Sequence, residues 1–258
     1  MKDKLTVIKV GGKIVEEEAS LNSLLRDFAA IEGFKLLVHG GGRSATKIAA
    51  ALGVETVMVD GRRVTDDAML DVVTMVYGGL VNKKVVARLQ GLGVDALGMT
   101  GADMDIIRSH KRPVKTVDYG WVGDVDRVNG EALASLLRSG VVPVIAPLTH
   151  DGDGHLLNTN ADTMAGETAK GLAPYFDVTL VYCFEKPGVL RDENDDNSVI
   201  AEIDTAMFEK LRNDGIVTGG MLPKLENALD AVGKGVSEVV ITRASALDNL
   251  DGGTHIRL

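Results

Sequence analysis

Two short apolar runs, Leu5–Val10 and Phe34–Val38, each end in a glycine-rich turn and give way to a helical pattern. That repeat constrains the chain more than any other feature. Strands that alternate with helices pair in parallel, and a parallel sheet has to be covered on both faces. The alternation continues downstream. Helical patterns run over Leu21–Ile31, over Ser44–Leu52 with a stop at Gly53, and over Ala68–Leu89 with an end before Gly91. Strands are predicted at Val94–Met99, Val141–Pro147, Val178–Tyr182 and Val236–Thr242, and helices at Ala161–Gly171 and Met221–Val232. The pattern predicts an α/β fold around a mainly parallel central sheet. The middle departs from it. Arg112–Asn129, rich in Val and aromatics around a central glycine, reads as a hairpin, and Asp151–Gly154 and Arg191–Asn197 read as exposed turns. No repeat, low-complexity tract or long linker divides the chain, so one domain with a later lobe starting near residue 170 is expected.

Composition narrows the function. With 258 residues, 45% hydrophobic, the chain can bury a substantial core. A formal net charge of −9 and 4% aromatic residues argue against a nucleic-acid partner, which needs a basic footprint or stacking platforms. An anionic small molecule is still allowed, because a site can be locally positive in an acidic protein. No apolar run approaches the roughly 18 residues of a membrane span. The single cysteine, Cys183, cannot form an internal disulfide and reads as a small packed hydrophobe. A reducing, cytoplasmic setting follows as the expectation. No Cys/His cluster has metal-ligand spacing, so no residue is assigned to a metal.

The motifs point to phosphate. Lys9-Val10-Gly11-Gly12 ends the first strand, where glycines let backbone N–H groups approach an anion and ligands of open parallel sheets bind. Read alone, it is equally a plain strand-to-helix turn. His39-Gly40-Gly41-Gly42 follows the second strand, with Ser44 as a cap for the next helix and His39 as a satisfied structural residue rather than a base. Neither turn is a Walker A loop or a Gly-x-Gly-x-x-Gly fingerprint, and no Gly-x-Ser-x-Gly elbow supplies an esterase nucleophile. Gly61-Arg62-Arg63-Val64-Thr65 offers two guanidiniums suited to a carboxylate, or a solvated pair. Asn158-Thr159-Asn160-Ala161-Asp162 opens a helix with Asn160 as its N-cap, and Thr218-Gly219-Gly220-Met221 enters one carrying Lys224.

In this order and combination the motifs resemble the N-acetylglutamate kinase family of the amino-acid kinase superfamily, over essentially the whole chain. The resemblance implies a three-layer αβα sandwich. An N-terminal lobe, about 1–170, would bind an acylglutamate and dimerise, and a C-terminal lobe, about 171–258, would bind ATP. It implies phosphorylation of the side-chain carboxylate of N-acetyl-L-glutamate, with Mg²⁺, in arginine biosynthesis. Carried onto this chain, Lys9 and Lys224 stabilise the transferring phosphoryl group, Asp162 orients both lysines, and Gly12 faces the phosphoryl group. Gly41, Gly42, Arg63 and Asn158 become acylglutamate ligands. Glu185, Gly188, Leu190, Ile216, Val217 and Thr218 fall where the family meets the nucleotide.

Two departures stand out. The family's usual Asp-Val-x-Gly is here Glu185-Lys186-Pro187-Gly188, which alters the expected nucleotide contacts. The chain starts at its first strand, without the N-terminal helix by which arginine-inhibited members form hexamers. An arginine-insensitive homodimer joined along a long helix such as Ala68–Leu89 is therefore the expectation. Arg62 and the basic stretch Arg108–Arg112 open an alternative, an N-succinyl-L-glutamate kinase, since a succinyl group adds a carboxylate. A non-catalytic metabolite sensor on the same fold is the other.

Overall fold

The computed structural model describes residues 2–59 and 61–258. Along the chain, β1 (Lys4–Val10) leads into the short α1 (Gly12–Glu16) and α2 (Glu18–Ala30), then β2 (Phe34–His39) and α3 (Gly42–Ala51). A two-residue pair, β3 (Met58–Val59) and β4 (Arg62–Arg63), precedes α4 (Asp67–Val73). A π-helical stretch, Thr74–Val81, joins α4 to α5 (Asn82–Gly91). Then come β5 (Ala96–Met99), β6 (Ile107–Lys111), β7 (Gly123–Val128), α6 (Gly130–Arg138), β8 (Val142–Ile145), β9 (Leu148–His150) and β10 (Leu156–Asn158). The remainder is α7 (Ala161–Leu172), β11 (Asp177–Phe184), β12 (Glu202–Ile203), α8 (Thr205–Asn213), α9 (Met221–Gly233), β13 (Glu238–Arg243) and β14 (Thr254–Ile256).

The main sheet runs β12-β14-β13-β11-β1-β2-β8-β5. Its strands pair in parallel except at β13–β14. Period-2 alternation sends side chains to two cores. In β1, Leu5 and Val7 join one core while Ile8 and Val10 join the other, and β11 divides Leu180 and Tyr182 from Val181 and Cys183 in the same way. The first core is covered by α6, α7, α8 and α9, the second by α2 and α5. Each fully buried Leu or Phe here, such as Leu24 or Phe28, contributes roughly 1.5–3 kcal/mol. The result is a three-layer αβα sandwich, with Cys183 buried as a small hydrophobe.

The structure moves several sequence-based boundaries. The predicted hairpin exists, but its arms are β6 and β7, so Arg112–Val122 is a connection rather than a strand. That connection is held by Thr65, whose N–H donates to Tyr119 O and whose carbonyl accepts from Trp121 N. Gly120, at φ +68°, packs so closely on Thr65 that a side chain would not fit. Ser44 does not cap α3. The helix begins two residues earlier, and the Ser44 hydroxyl donates to Glu16 instead. The long helix predicted at Ala68–Leu89 is continuous but widens to a π-helix in its middle. Asn160 does cap α7, accepting from Asp162 N at 2.8 Å and Thr163 N at 3.0 Å.

Candidate active site

Strands β1 and β2 are neighbours, so their two glycine turns emerge side by side at the carboxyl edge of the sheet. A methyl group added at Gly40 would lie 3.0 Å from Gly12 N, and one at Gly41 would lie 2.8 Å from the Tyr77 ring. Only glycine lets the two turns and the π-helical segment close up this far. His39, fully buried below them, accepts from Asn82 through Nε2 and donates from Nδ1 to Gly40 O at 2.8 Å. Burial holds its pKa down to about 4, so it is a neutral strut and not a base at neutral pH.

The charged centre lies beside these turns. Lys9, buried on β1, meets Asp162 Oδ1 at 2.6 Å in an ion pair that is not aligned as a hydrogen bond. Asp162 stands in the first turn of α7. Lys224 stands in the first turn of α9, with Nζ 3.8 Å from the centre of the Phe184 ring. Burial lowers the Lys224 pKa, Asp162 opposes that shift, and Lys9 adds to it. Lys170 ties the two helices together, bonding Glu167 on α7 and Asp230 on α9. Asp162 and Lys224 are therefore presented by helices braced against each other.

Three clefts meet around this centre. One, of about 190 Å³, is lined by Gly41, Gly42, Arg62, Arg63, Arg112 and Asn158. A second, of about 460 Å³, is lined by Gly12, Lys13, Arg43, Phe184, Glu185 and Lys224, and shares Gly42 with the first. A third, of about 350 Å³, is lined by Leu190, Ile216, Val217 and Thr218, and shares Gly188 with the second. The predicted residues thus line one continuous path, with buried Lys9 and Asp162 alongside it. Arg63 is pinned by donating to Gly42 O and Thr46 Oγ1, both at 2.8 Å. Asn158 is fixed through Nδ2 to Thr65 Oγ1 at 2.9 Å.

Some features escaped the sequence reading. Lys13 and Arg43 line the second cleft, and each directly follows a glycine turn, which was the available signal. Glu185 pairs with Lys13 at 2.7 Å, and Lys186 with Asp196 at 3.0 Å. The substituted segment is therefore bound up with neighbouring charges at the cleft's rim. Arg108, also in the basic stretch, pairs with Asp105 and does not line the first cleft. Tyr77 and Phe184 were hidden because each sits in an apolar run.

The arrangement suits a small polyanion, gripped by backbone N–H groups and cations within an acidic protein. Among the described residues no group of three His, Cys, Asp or Glu could hold a metal ion. No helix of the described residues is long and apolar enough to cross a membrane.

Comparison with known proteins agrees. Residues 4–243 match the model of the amino acid kinase family. The chain is 70% identical over 257 residues to the acetylglutamate kinase of Bacteroides fragilis, covering 100% of this chain and 98% of that one. It is 69% identical over 252 residues to that of Bacteroides thetaiotaomicron, covering 98% of each. A solved N-acetylglutamate synthase from Neisseria gonorrhoeae, complexed with coenzyme A and N-acetyl-glutamate, shares the fold. Its TM-score is 0.81 at 22% identity, over 99% of this chain and 59% of that one. The chain belongs to the amino acid kinase family and, within it, to the acetylglutamate kinases.

Proposed function

We propose that the chain transfers the γ-phosphoryl group of ATP to the side-chain carboxylate of N-acetyl-L-glutamate, giving N-acetylglutamyl 5-phosphate and ADP. The observation that carries this reading is the pair of lysines around one aspartate, set where two clefts meet at the glycine turns. The acylglutamate occupies the first cleft, its α-carboxylate on Arg63 and Asn158. The nucleotide occupies the second and third, its base end near Ile216–Thr218. The boundary near residue 170 between an acylglutamate lobe and a nucleotide lobe belongs to the same proposal.

The chemistry asks little covalent work of the protein. A glutamate side chain has a pKa of about 4.3, so the nucleophile is already ionised at neutral pH and no general base is needed. A carboxylate oxygen forms a bond to the γ-phosphorus as the bond to the bridging oxygen of ADP breaks on the opposite side. The obstacle is bringing an anion up to a polyanion. Lys9, Lys224 and the N–H groups of Gly12, Gly41 and Gly42 offset that repulsion. Asp162 holds Lys9 in place and attracts Lys224, so the lysines meet the phosphate ready-made. Mg²⁺ carried by the nucleotide supplies further neutralisation of phosphate charge. Simple binding would not need both lysines, which disfavours a sensor. In a coupled ADP-release assay, ATP turnover should depend on added N-acetyl-L-glutamate; turnover indifferent to it would end this reading.

The relatives do not favour the alternative acyl group, N-succinyl, and one arginine separates it from acetyl by experiment. Arg62 and Arg112 line the first cleft together with Arg63, although the α-carboxylate needs only one guanidinium. Arg112 already bonds Asp124, with Nε 3.1 Å from Oδ2. N-succinyl-L-glutamate would bring a second carboxylate to this end. On this reading its kcat/KM matches or exceeds that of the acetyl compound, and Arg62→Ala lowers that ratio. An equal effect on both substrates would make Arg62 a surface charge.

A cytoplasmic homodimer completes the proposal. Met75 and Leu80 stand 53% and 41% exposed on the long helix, an apolar face suited to a second copy. Sedimentation at micromolar concentration should give twice the 27.3 kDa chain mass. A monomer under those conditions would refute it.

A further inference from the structure

The carboxyl end of β11 reads Tyr182-Cys183-Phe184. Alternation turns Cys183 into the core beneath α2 and α5, and turns Tyr182 and Phe184 toward α7 and α9. The two rings stack, 6.1 Å apart and 12° from parallel, and the Tyr182 hydroxyl donates to Asp162 O at 3.1 Å. The Phe184 ring is therefore set by its neighbour. Lys224 Nζ lies 3.8 Å and Lys9 Nζ 5.2 Å from its centre, both within the roughly 6 Å reach of a cation–π contact.

Lys9 has Asp162 within ion-pair distance. Among the described residues, Lys224 has no carboxylate within that distance. A half-buried ammonium so placed is disfavoured, and a long lysine chain without a partner samples many rotamers. The ring supplies a partner of another kind. It attracts the charge and narrows the rotamers, yet holds more weakly than a carboxylate would. A carboxylate at this position would compete with the phosphate. A ring gives the ammonium up to the phosphate readily.

We propose that Phe184 is a positioning residue for phosphoryl transfer, holding the Lys224 ammonium beside Lys9 until the transferring phosphate takes it. This rests on the reading that both lysines act on the phosphoryl group. The ring ends β11 directly before the Glu185-Lys186 segment.

The charged groups around Lys224 are Lys9 on β1, Lys13 on α1, Arg43 on α3, Asp162 on α7, and Glu185 and Lys186 after β11. Against that background the ring favours the charged lysine. Removing it should shift the alkaline limb of the kcat profile to lower pH, because Lys224 acts only while protonated. Phe184→Leu should lower kcat about tenfold and move that limb down by roughly half to one pH unit. Its KM values for the acylglutamate and ATP should stay within about twofold, since neither substrate relies on the ring alone. Phe184→Tyr, which keeps the ring, should retain kcat and the limb. Should Phe184→Leu fail to fold, Phe184→Met carries the same expectations. A kcat within twofold of the parent with an unmoved limb overturns the proposal. So does a Phe184→Tyr enzyme that falls as far as Phe184→Leu, which would show the ring to be mere packing. Lys224→Met, run in parallel, separates the two levels. If Lys224→Met stays active, the underlying reading fails. If Lys224→Met is crippled but Phe184→Leu is normal, only this inference fails.

Discussion

Lys224→Met is expected to turn over about a hundred- to a thousandfold more slowly than the parent, with KM values within a few fold. Methionine keeps much of the length and apolar bulk of the lysine stem, so α9 should pack as before and only the charge is lost. The ammonium lines the second cleft, which shares Gly42 with the first. Charge concentrates at that spot when the carboxylate meets the γ-phosphate, so its loss weighs on the transition state more than on either bound ground state. A thousandfold loss corresponds to about 4 kcal/mol of transition-state stabilisation. The same lysine is expected to set the alkaline limit. Burial and Lys9 lower its pKa, and Asp162 only partly offsets them. Since the protonated form acts, kcat in the parent should fall with rising pH below the ordinary lysine range near 10.5. A Lys224→Met enzyme with a raised KM and unchanged kcat would assign the lysine to binding instead.

Much of this site was legible from local pattern. The strand–glycine–helix repeat requires a parallel sheet, and a parallel sheet puts the turns after β1 and β2 at one edge. Lys9, Gly12, Gly41 and Gly42 were therefore juxtaposed by topology alone. Asn160 was readable as a cap because capping depends on the first turn of α7 only. Ser44 was misread for the same kind of reason. The helix starts at Gly42, where no side chain marks the boundary, and the nearest serine looked like the cap. The arms β6 and β7 were displaced because Val, Trp and Tyr between Arg112 and Val122 resemble strand residues. Their backbone is spent on Thr65, some fifty residues away in sequence. Phe184 and Tyr77 could not be picked out, since an aromatic in an apolar run reads as core whichever way its ring faces. Nor could the Lys13–Glu185 pair, which depends on how α1 sits against the end of β11.

Asp162→Asn separates the role of charge from that of shape. The substitution keeps the side-chain outline. It also leaves the Asn160 cap intact, because those bonds go to the backbone N–H groups of residues 162 and 163. What disappears is the one carboxylate between two ammonium groups. Lys9 has a side chain only 9% exposed and cannot turn out to water without unpacking. Leaving a buried charge unpaired typically costs about 3 kcal/mol or more, and α7 loses an acid from its first turn. The melting temperature should fall by about 5–10 °C, and kcat by about a hundredfold as the lysines lose their fixed geometry. The telling measurement is the response to anions. In the parent, sulfate or ATP meets lysines already shared with Asp162. In the variant, the anion also relieves the uncompensated repulsion between them, so it binds the folded state more tightly. Sulfate should therefore raise the melting temperature of Asp162→Asn by several degrees more than that of the parent. Equal gains, or a variant that melts within about 2 °C of the parent without sulfate, would show that the lysines do not depend on Asp162. They would be held instead by packing and the Phe184 ring.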